Sequence, residues 1–410
     1  MKTFFKINQH TLEYSLFNLS QLVFEVTETC NLNCTYCAFS DLYNERRESY
    51  NKQMDCATAV SVIDYMVSIW QKYSHIYAPK RLSIGFYGGE PTLNISLIEK
   101  IVEYVGSIRF KVPRNIGFSM TTNGVLLNKY IDFFVKHNFS LLVSLDGDEL
   151  ANSYRMDKQG LPCFQQVYNN LKIVQEKYPV FFEENIRFNS VLNNHSSIKS
   201  VIEFFKNNFN KRPSLSQLSK SYVNPESIDK YYELCNETKS FNLIDSNKDE
   251  ISSVQIGNFY NEFSRMSGNF YYDINELFYN REDFGIVPTG TCIPFSKKMF
   301  VTAHGKILQC ERIDHKYYLG QVTGGKVVMD LNKVAEQFNI LNRIFIKQCS
   351  SCVYVRHCPK CMYRLNDVVG EKKCMSYLKS TASNNTLNIE GYRNFINQLI
   401  KGAYQIKIVR

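Results

Sequence analysis

Between Leu22 and about Asn208 the chain alternates short apolar runs with longer segments of helical apolar spacing. LVFEV (22–26), RLSIGFY (81–87), IGFSMTT (116–122), FSLLVSL (139–145) and IRFNSVL (186–192) are predicted strands. The segments between and after them are predicted helices: CATAVSVIDYMVSIW (56–70), ISLIEKIVEYVGSI (95–108), LLNKYIDFFVKH (126–137), CFQQVYNNLKIVQEKY (163–178) and IKSVIEFFKNNF (198–209). Asp55 is placed to cap the first of these helices. Strands alternating with helices of this length predict an α/β fold of parallel units with right-handed crossovers. Five or six such units make either a partial barrel or an open wound sheet, and the pattern alone does not choose.

The pattern then changes. Residues 211–290 are polar, rich in Ser, Asn and Tyr, and helical only in patches such as YYELCNETKSF, which predicts a mostly helical connector. From Cys292 to Cys374 cysteines are dense and the apolar runs short. There, Ala303-His304-Gly305-Lys306 between KMFVT and KILQC predicts a hairpin, and LNKVAEQFNILNRIF (331–345) a helix. A last helix is expected over about 389–400. The resulting domains are an extension (1–20), an α/β core (21–210), a connector (211–290), a cysteine-rich domain (291–376) and a C-terminal helical segment (377–410). Internal repeats and low-complexity tracts are absent.

Composition narrows the class. Apolar residues are 44% and charged residues 21%, ordinary for a globular chain. The N-terminus shows no signal-peptide pattern, and no run approaches the ~18 apolar residues of a membrane span. A cytoplasmic location without membrane attachment is therefore expected. The formal charge of +9 is spread out and accompanied by no nucleic-acid motif, so it suits an acidic peptide better than nucleic acid. Thirteen cysteines in a chain without an export signal point to metal ligation rather than disulfides. Three lie at 30–37 and seven at 292–374; Cys56 and Cys163, at helix starts, read as small buried residues.

The first cysteines form Cys30-x3-Cys34-x2-Cys37, just after the first strand, where α/β folds place active sites. Three thiolates are one short of a closed structural zinc site; with a distant fourth ligand they make a zinc knuckle. Alternatively they hold a [4Fe–4S] cube with one iron left open. FYGGEP (86–91) ends the second strand. Its glycines allow close backbone approach and leave N–H groups available, and Glu90 is suited to accept a hydrogen bond from a cationic amine. TTNG (121–124) and SLDG (144–147) end the third and fourth strands.

CNLNCTYC, with aromatic Tyr36 before the last cysteine, resembles the signature of the radical S-adenosylmethionine (SAM) superfamily. The resemblance implies a cluster on Cys30, Cys34 and Cys37, with SAM chelating the fourth iron. Reductive cleavage of its sulfonium then yields a 5′-deoxyadenosyl radical that takes a hydrogen atom from substrate. It also implies that Gly88, Gly89, Glu90 and Pro91 contact the methionine amino group. Ser144 and Arg155 are implied to hold the cofactor's carboxylate or ribose, and Tyr36, Asn123 and Asn189 are further candidate cofactor contacts.

The second group is Cys292-x12-Gly305-x4-Cys310, Cys349-x2-Cys352-x5-Cys358-x2-Cys361 and Cys374. By spacing alone it also suits two zinc ribbons. It resembles the SPASM domain of peptide-modifying radical enzymes, with two residues rather than the usual three between Cys358 and Cys361. The resemblance implies two auxiliary [4Fe–4S] clusters. Cys349, Cys352, Cys358 and Cys374 would hold one. Cys292, Cys310 and Cys361 would hold the other, completed by substrate, solvent or Cys235. His304, His315 and His357 are expected to be solvated.

Enzymes of this type mostly modify peptides or proteins. Seven C-terminal cysteines rather than eight, and FYGGEP rather than QGGEP, favour maturation of a ribosomally made precursor peptide by a thioether or carbon–carbon cross-link. The alternative is the sulfatase-maturing type, which makes formylglycine. With about 20 residues before the first strand, a leader-binding module is not expected at that end, so the connector, the C-terminal segment or a separate protein would read a leader. An external one-electron reductant such as a flavodoxin or ferredoxin is implied. A non-catalytic iron–sulfur carrier is the alternative of another class, and a small-molecule substrate shares the same motifs.

Overall fold

The computed structural model describes residues 6–44, 51–73, 81–219, 222–235 and 288–352, and in shorter pieces 355, 358, 360–365, 367–368, 371–372, 374 and 377. The C-terminal helix expected at 389–400, His357 and most of the connector lie outside the described residues. The chain divides into two compact units. One comprises Glu13–Lys239 and Lys297–Asp330, the other Met1–Leu12, Ser240–Ser296 and Leu331–Arg410.

In chain order the elements begin with helix α1 (Gln9–Phe17), β1 (Gln21–Thr27), α2 (Cys56–Tyr73), β2 (Leu82–Gly88), α3 (Ile95–Ser107), β3 (Ile116–Thr122) and α4 (Leu127–Lys136). They continue with β4 (Ser140–Ser144), α5 (Phe164–Lys177), α6 (Pro179–Asn185), β5 (Ile186–Leu192), α7 (Ile198–Phe209), β6 (Ser214–Gln217) and α8 (Ile228–Leu234). Strands β1 to β6 pair in sequence order and in parallel. Among the described residues the sheet's two end strands do not pair with each other, so the sheet is open and not a closed barrel. β1 is buried along nearly its whole length, as a strand covered on both faces should be. Phe188, Phe205 and Phe209 pack together behind β5 with centroids 4.8–6.1 Å apart.

Local chemistry explains the helix ends. The Asp55 carboxylate accepts the backbone N–H of Thr58 at 2.7 Å and caps α2 as expected. Ser197 and Ser200 form a reciprocal capping box on α7, and Asn210 ends that helix in the left-handed region. α6 was not expected; Pro179 at its first turn restarts the chain directly after α5.

Two observations move the expected boundaries. β6 pairs with β5 beyond residue 210, so the core sheet extends into the expected connector. β7 (Lys298–Val301) pairs in parallel with the other side of β1, which carries the start of the cysteine-rich region into the core sheet. β7, β8 (Lys306–Leu308), β9 (Gly320–Thr323) and β10 (Lys326–Val328) then run antiparallel, completing a ten-stranded sheet. The hairpin at 303–306 is present, with Gly305 at φ +79°.

In the other unit α9 (Leu331–Cys349) ends on a cysteine, and β11 (Asp367–Val368) pairs with β12 (Glu371–Lys372). The Gln348 side chain accepts from the backbone N–H of Cys374 at 3.0 Å and donates to its carbonyl at 3.1 Å. Thr291 accepts the backbone N–H of Met362 at 2.7 Å. Among the described residues no helix is long and apolar enough to cross a membrane.

Candidate active site

The loop after β1 carries Cys30, Cys34 and Cys37, all partly buried, at the carboxyl end of the parallel strands. It turns on itself where the N–H of Cys37 meets the carbonyl of Cys34 at 3.0 Å, and the Cys30 sulfur accepts the N–H of Leu32 at 3.4 Å. Three neighbouring segments hold the loop.

The first is the turn after β2. A Cβ on Gly88 would lie 2.0 Å from the Thr27 carbonyl oxygen, and one on Gly89 would lie 2.2 Å from that of Thr29. Only glycine permits this approach. The N–H groups of Gly89 and Glu90 donate to the carbonyls of Thr27 and Thr29, each at 2.9 Å. Of the glycine N–H groups expected to be available for a ligand, that of Gly89 instead binds the polypeptide leading into Cys30. The Glu90 side chain is also engaged. Fully buried, it accepts from the Thr92 N–H and hydroxyl, the Thr122 hydroxyl and the Asn123 N–H, at 2.7–3.1 Å. Burial raises its pKa, and these donors pull the other way. By lone-pair count one acceptor position remains, on Oε2. Pro91 opens the short 3-10 turn that Glu90 caps.

The second segment is the turn after β3. Asn123 donates from Nδ2 to the Asn31 side chain at 2.8 Å and accepts the Val125 N–H at 3.0 Å. It therefore both faces the cysteine loop and caps its own turn. The third runs antiparallel to the loop after β4. The N–H groups of Asn33 and Thr35 donate to the carbonyls of Met156 (2.7 Å) and Tyr154 (3.1 Å).

The side chains behind this clamp converge on Asp146, which is fully buried. Arg155 grips its carboxylate with Nε at 3.0 Å and Nη2 at 3.2 Å, the Val191 N–H donates at 2.9 Å, and the Tyr36 hydroxyl donates as well. The Arg155 guanidinium lies 5.6 Å from the Tyr36 ring centre. Burial works against the Arg155 charge, but Asp146, Cys34 and Cys163 together outweigh it and hold its pKa above the ordinary value. Expected as cofactor contacts, the Tyr36 hydroxyl and two of the Arg155 nitrogens are instead committed to Asp146. The sequence carries one signal for Asp146, a carboxylate in SLDG nine residues before Arg155.

Ser144, the last residue of β4, stands beside Asn189, midway along β5, and the Asn189 side-chain oxygen accepts the Ser216 hydroxyl of β6 at 2.9 Å. His304, expected to be solvated, has Nε2 3.5 Å from Glu28, a buried carboxylate just before the cysteines. An open cleft of about 390 Å³ lies against Thr29, Cys30, Asn31, Leu93 and the Asp157–Gln159 turn.

The donor set fits an iron–sulfur cube. All three ligands are thiols; burial raises Cys30 to about 11 and Cys34 to about 12, with Arg155 pulling Cys34 back. A bound cation is what converts such thiols to thiolates. Among the described residues no three His, Cys, Asp or Glu side chains converge on one ion position; a cube asks instead for one thiolate at each corner. In the other unit burial raises Cys349 to about 11 and also raises Cys358, and the neighbouring Cys352 and Cys374 add to both. Cys361, raised by burial, is near Cys292 and takes a hydrogen bond from Thr291. Cys310 follows β8 in the first unit.

Residues 24–205 match the family model of the Radical SAM superfamily. This part of the chain is a radical SAM domain. A cysteine-type anaerobic sulfatase-maturating enzyme of Clostridium novyi is 30% identical over 46% of this chain and 48% of its own length. The radical SAM cyclopropyl synthase TigE of Paramaledivibacter caminithermalis is 29% identical over 44% and 36%. The matched segments span about half the length of these relatives or less. The solved structure of native anSMEcpe with bound AdoMet has the same fold, with a TM-score of 0.54 at 21% identity, covering 95% of this chain and 100% of that one.

Proposed function

We propose that this chain is a radical SAM enzyme that takes a hydrogen atom from a residue of a peptide substrate and joins side chains through a thioether or carbon–carbon bond. One observation carries the proposal: three thiols on a loop clamped at the carboxyl ends of a parallel sheet by a Gly-Gly-Glu-Pro turn. Cys30, Cys34 and Cys37 would hold the cluster, and Ser144, Asn189 and Glu90 would contact SAM. With both groups bound, the site supplies one-electron cleavage of a sulfonium and a hydrogen-abstracting radical. Cys349, Cys352, Cys358 and Cys374 would hold an auxiliary cluster that takes up an electron, and an external flavodoxin-type or ferredoxin-type donor supplies the first one.

A peptide substrate is supported by anSMEcpe, which has been solved with a bound peptide, and bond formation by a relative named a cyclopropyl synthase. Formylglycine formation on a sulfatase is the second reading, favoured by the names of other relatives. A precursor peptide read with the help of a separate leader-binding protein belongs to the first reading only.

The test starts with iron, sulfide and zinc per chain after anaerobic purification. About twelve irons are expected for three cubes, together with 5′-deoxyadenosine formation that Cys34→Ala abolishes. A reduced, iron-loaded protein that never cleaves SAM, with or without peptide, overturns the proposal in favour of an electron carrier. Product from candidate peptides separates the two enzymatic readings: formylglycine is trapped by a hydrazine reagent, and a cross-link is not.

A further inference from the structure

Asp146 is a fully buried carboxylate whose donors come from three separate parts of the chain: the cysteine loop (Tyr36), the segment after β4 (Arg155) and the backbone of β5 (Val191). Its own backbone is fixed too. Its N–H donates to the Asn152 side chain at 3.2 Å, and its carbonyl accepts the Ser190 hydroxyl at 2.9 Å. Arg155 has little freedom of its own. Its Nε and Nη2 are both held by the one carboxylate, a bidentate geometry that fixes the guanidinium plane. The neighbouring Tyr154 is bound through its carbonyl to the N–H of Thr35, next to Cys34. A buried cation is therefore fixed against the cysteine loop, beside the Tyr36 ring and one residue from the carbonyl that binds Thr35, and its charge favours the thiolate of Cys34.

We propose that Asp146 holds Tyr36 and Arg155 against the cysteine loop, and that the opposed charges of this pair bias the reduction potential of the cluster on the loop, Arg155 upward and Asp146 downward. The inference rests on the radical SAM reading above. A fixed positive charge near an iron–sulfur cluster stabilises the reduced form, which carries one more negative charge, and so raises the potential; a nearby negative charge lowers it. A pair that only supported the fold would show no such sign.

The test is an EPR-monitored redox titration of the iron-loaded protein, read on the signal that changes when SAM is added. Arg155→Gln should shift that midpoint downward and Asp146→Asn upward, while Arg155→Lys, which keeps the charge, stays near wild type. Iron per chain is measured alongside. Shifts in the same direction, or none, overturn the inference. If Asp146→Asn does not fold because it leaves a buried cation without its partner, the Gln and Lys variants of Arg155 decide alone: equal midpoints overturn it, and a lower midpoint for Gln supports it. A wild type with no SAM-responsive signal removes the radical SAM reading, and this inference with it. A responsive wild type whose variants do not shift removes only the inference.

Discussion

Gly89 lies so close to the chain ahead of the cysteines that a Cβ built on it would sit 2.2 Å from the carbonyl oxygen of Thr29. The contact is backbone against backbone, so no side chain can move to relieve it. Gly89→Ala should push Thr29 away and carry Cys30 with it. The expected outcome is loss of about four of about twelve irons and of SAM cleavage, with the C-terminal clusters kept. Iron analysis and 5′-deoxyadenosine assay on one preparation check it; full iron with normal cleavage would show that the loop yields without cost.

Asn123 tests the same loop from its other side. Asn123→Ala keeps the backbone N–H that binds Glu90 and removes the side-chain bonds to Asn31 and Val125, together with the longer contact of Nδ2 with the Cys30 sulfur at 3.9 Å. Two lost hydrogen bonds predict a destabilisation of about 1–2 kcal/mol. Iron should also leave to a chelator several-fold faster, because Asn31 sits beside Cys30. Denaturant melts and chelator kinetics against wild type give both numbers.

Asp55 offers a control away from the site. Asp55→Ala removes the cap of α2 and should cost about 1 kcal/mol near neutral pH. Its hydrogen bonds to Thr58 hold the carboxyl below its ordinary value of 3.8. A depressed folded pKa contributes stability above the unfolded value and loses it as pH falls through the folded one. The gap between wild type and variant should therefore be full above pH 3.8 and close below it. Melts of the iron-free protein across that range measure it, and a gap independent of pH would mean the cap is not acting through the charged form.

What the sequence made legible follows from periodicity. β3, β5 and α7 stand where the apolar pattern put them, and β5 and α7 each bury a regular face. β6 was invisible for the opposite reason: Ser-Leu-Ser-Gln is short, polar and only half covered, and its strand character comes from pairing with β5. The same limit applies at the site. Cysteine spacing announced the loop, and the GGEP motif announced a close approach. The pattern could not say whether those glycines meet a ligand or the chain itself, since both need the missing Cβ. Nor could it show that Arg155 faces Asp146, a pairing made across the end of the sheet by the turn between them.

The C-terminal cysteines carry the last prediction. Cys349 ends α9, and Cys374 is held to the same helix end by the Gln348 amide, which grips both its N–H and its carbonyl. If these thiols seat an electron-accepting cluster, Cys349→Ala should remove about four irons and leave the loop at 30–37 intact. SAM would then still be cleaved, but the substrate radical would lack its electron acceptor. Uncoupled 5′-deoxyadenosine without finished product is the expected result, read by chromatography and peptide mass on one reaction. Gln348→Ala should show a milder form, with partial iron and partial uncoupling, because it loosens Cys374 without removing a thiol. Full product from Cys349→Ala would mean that the oxidation does not pass through this cluster.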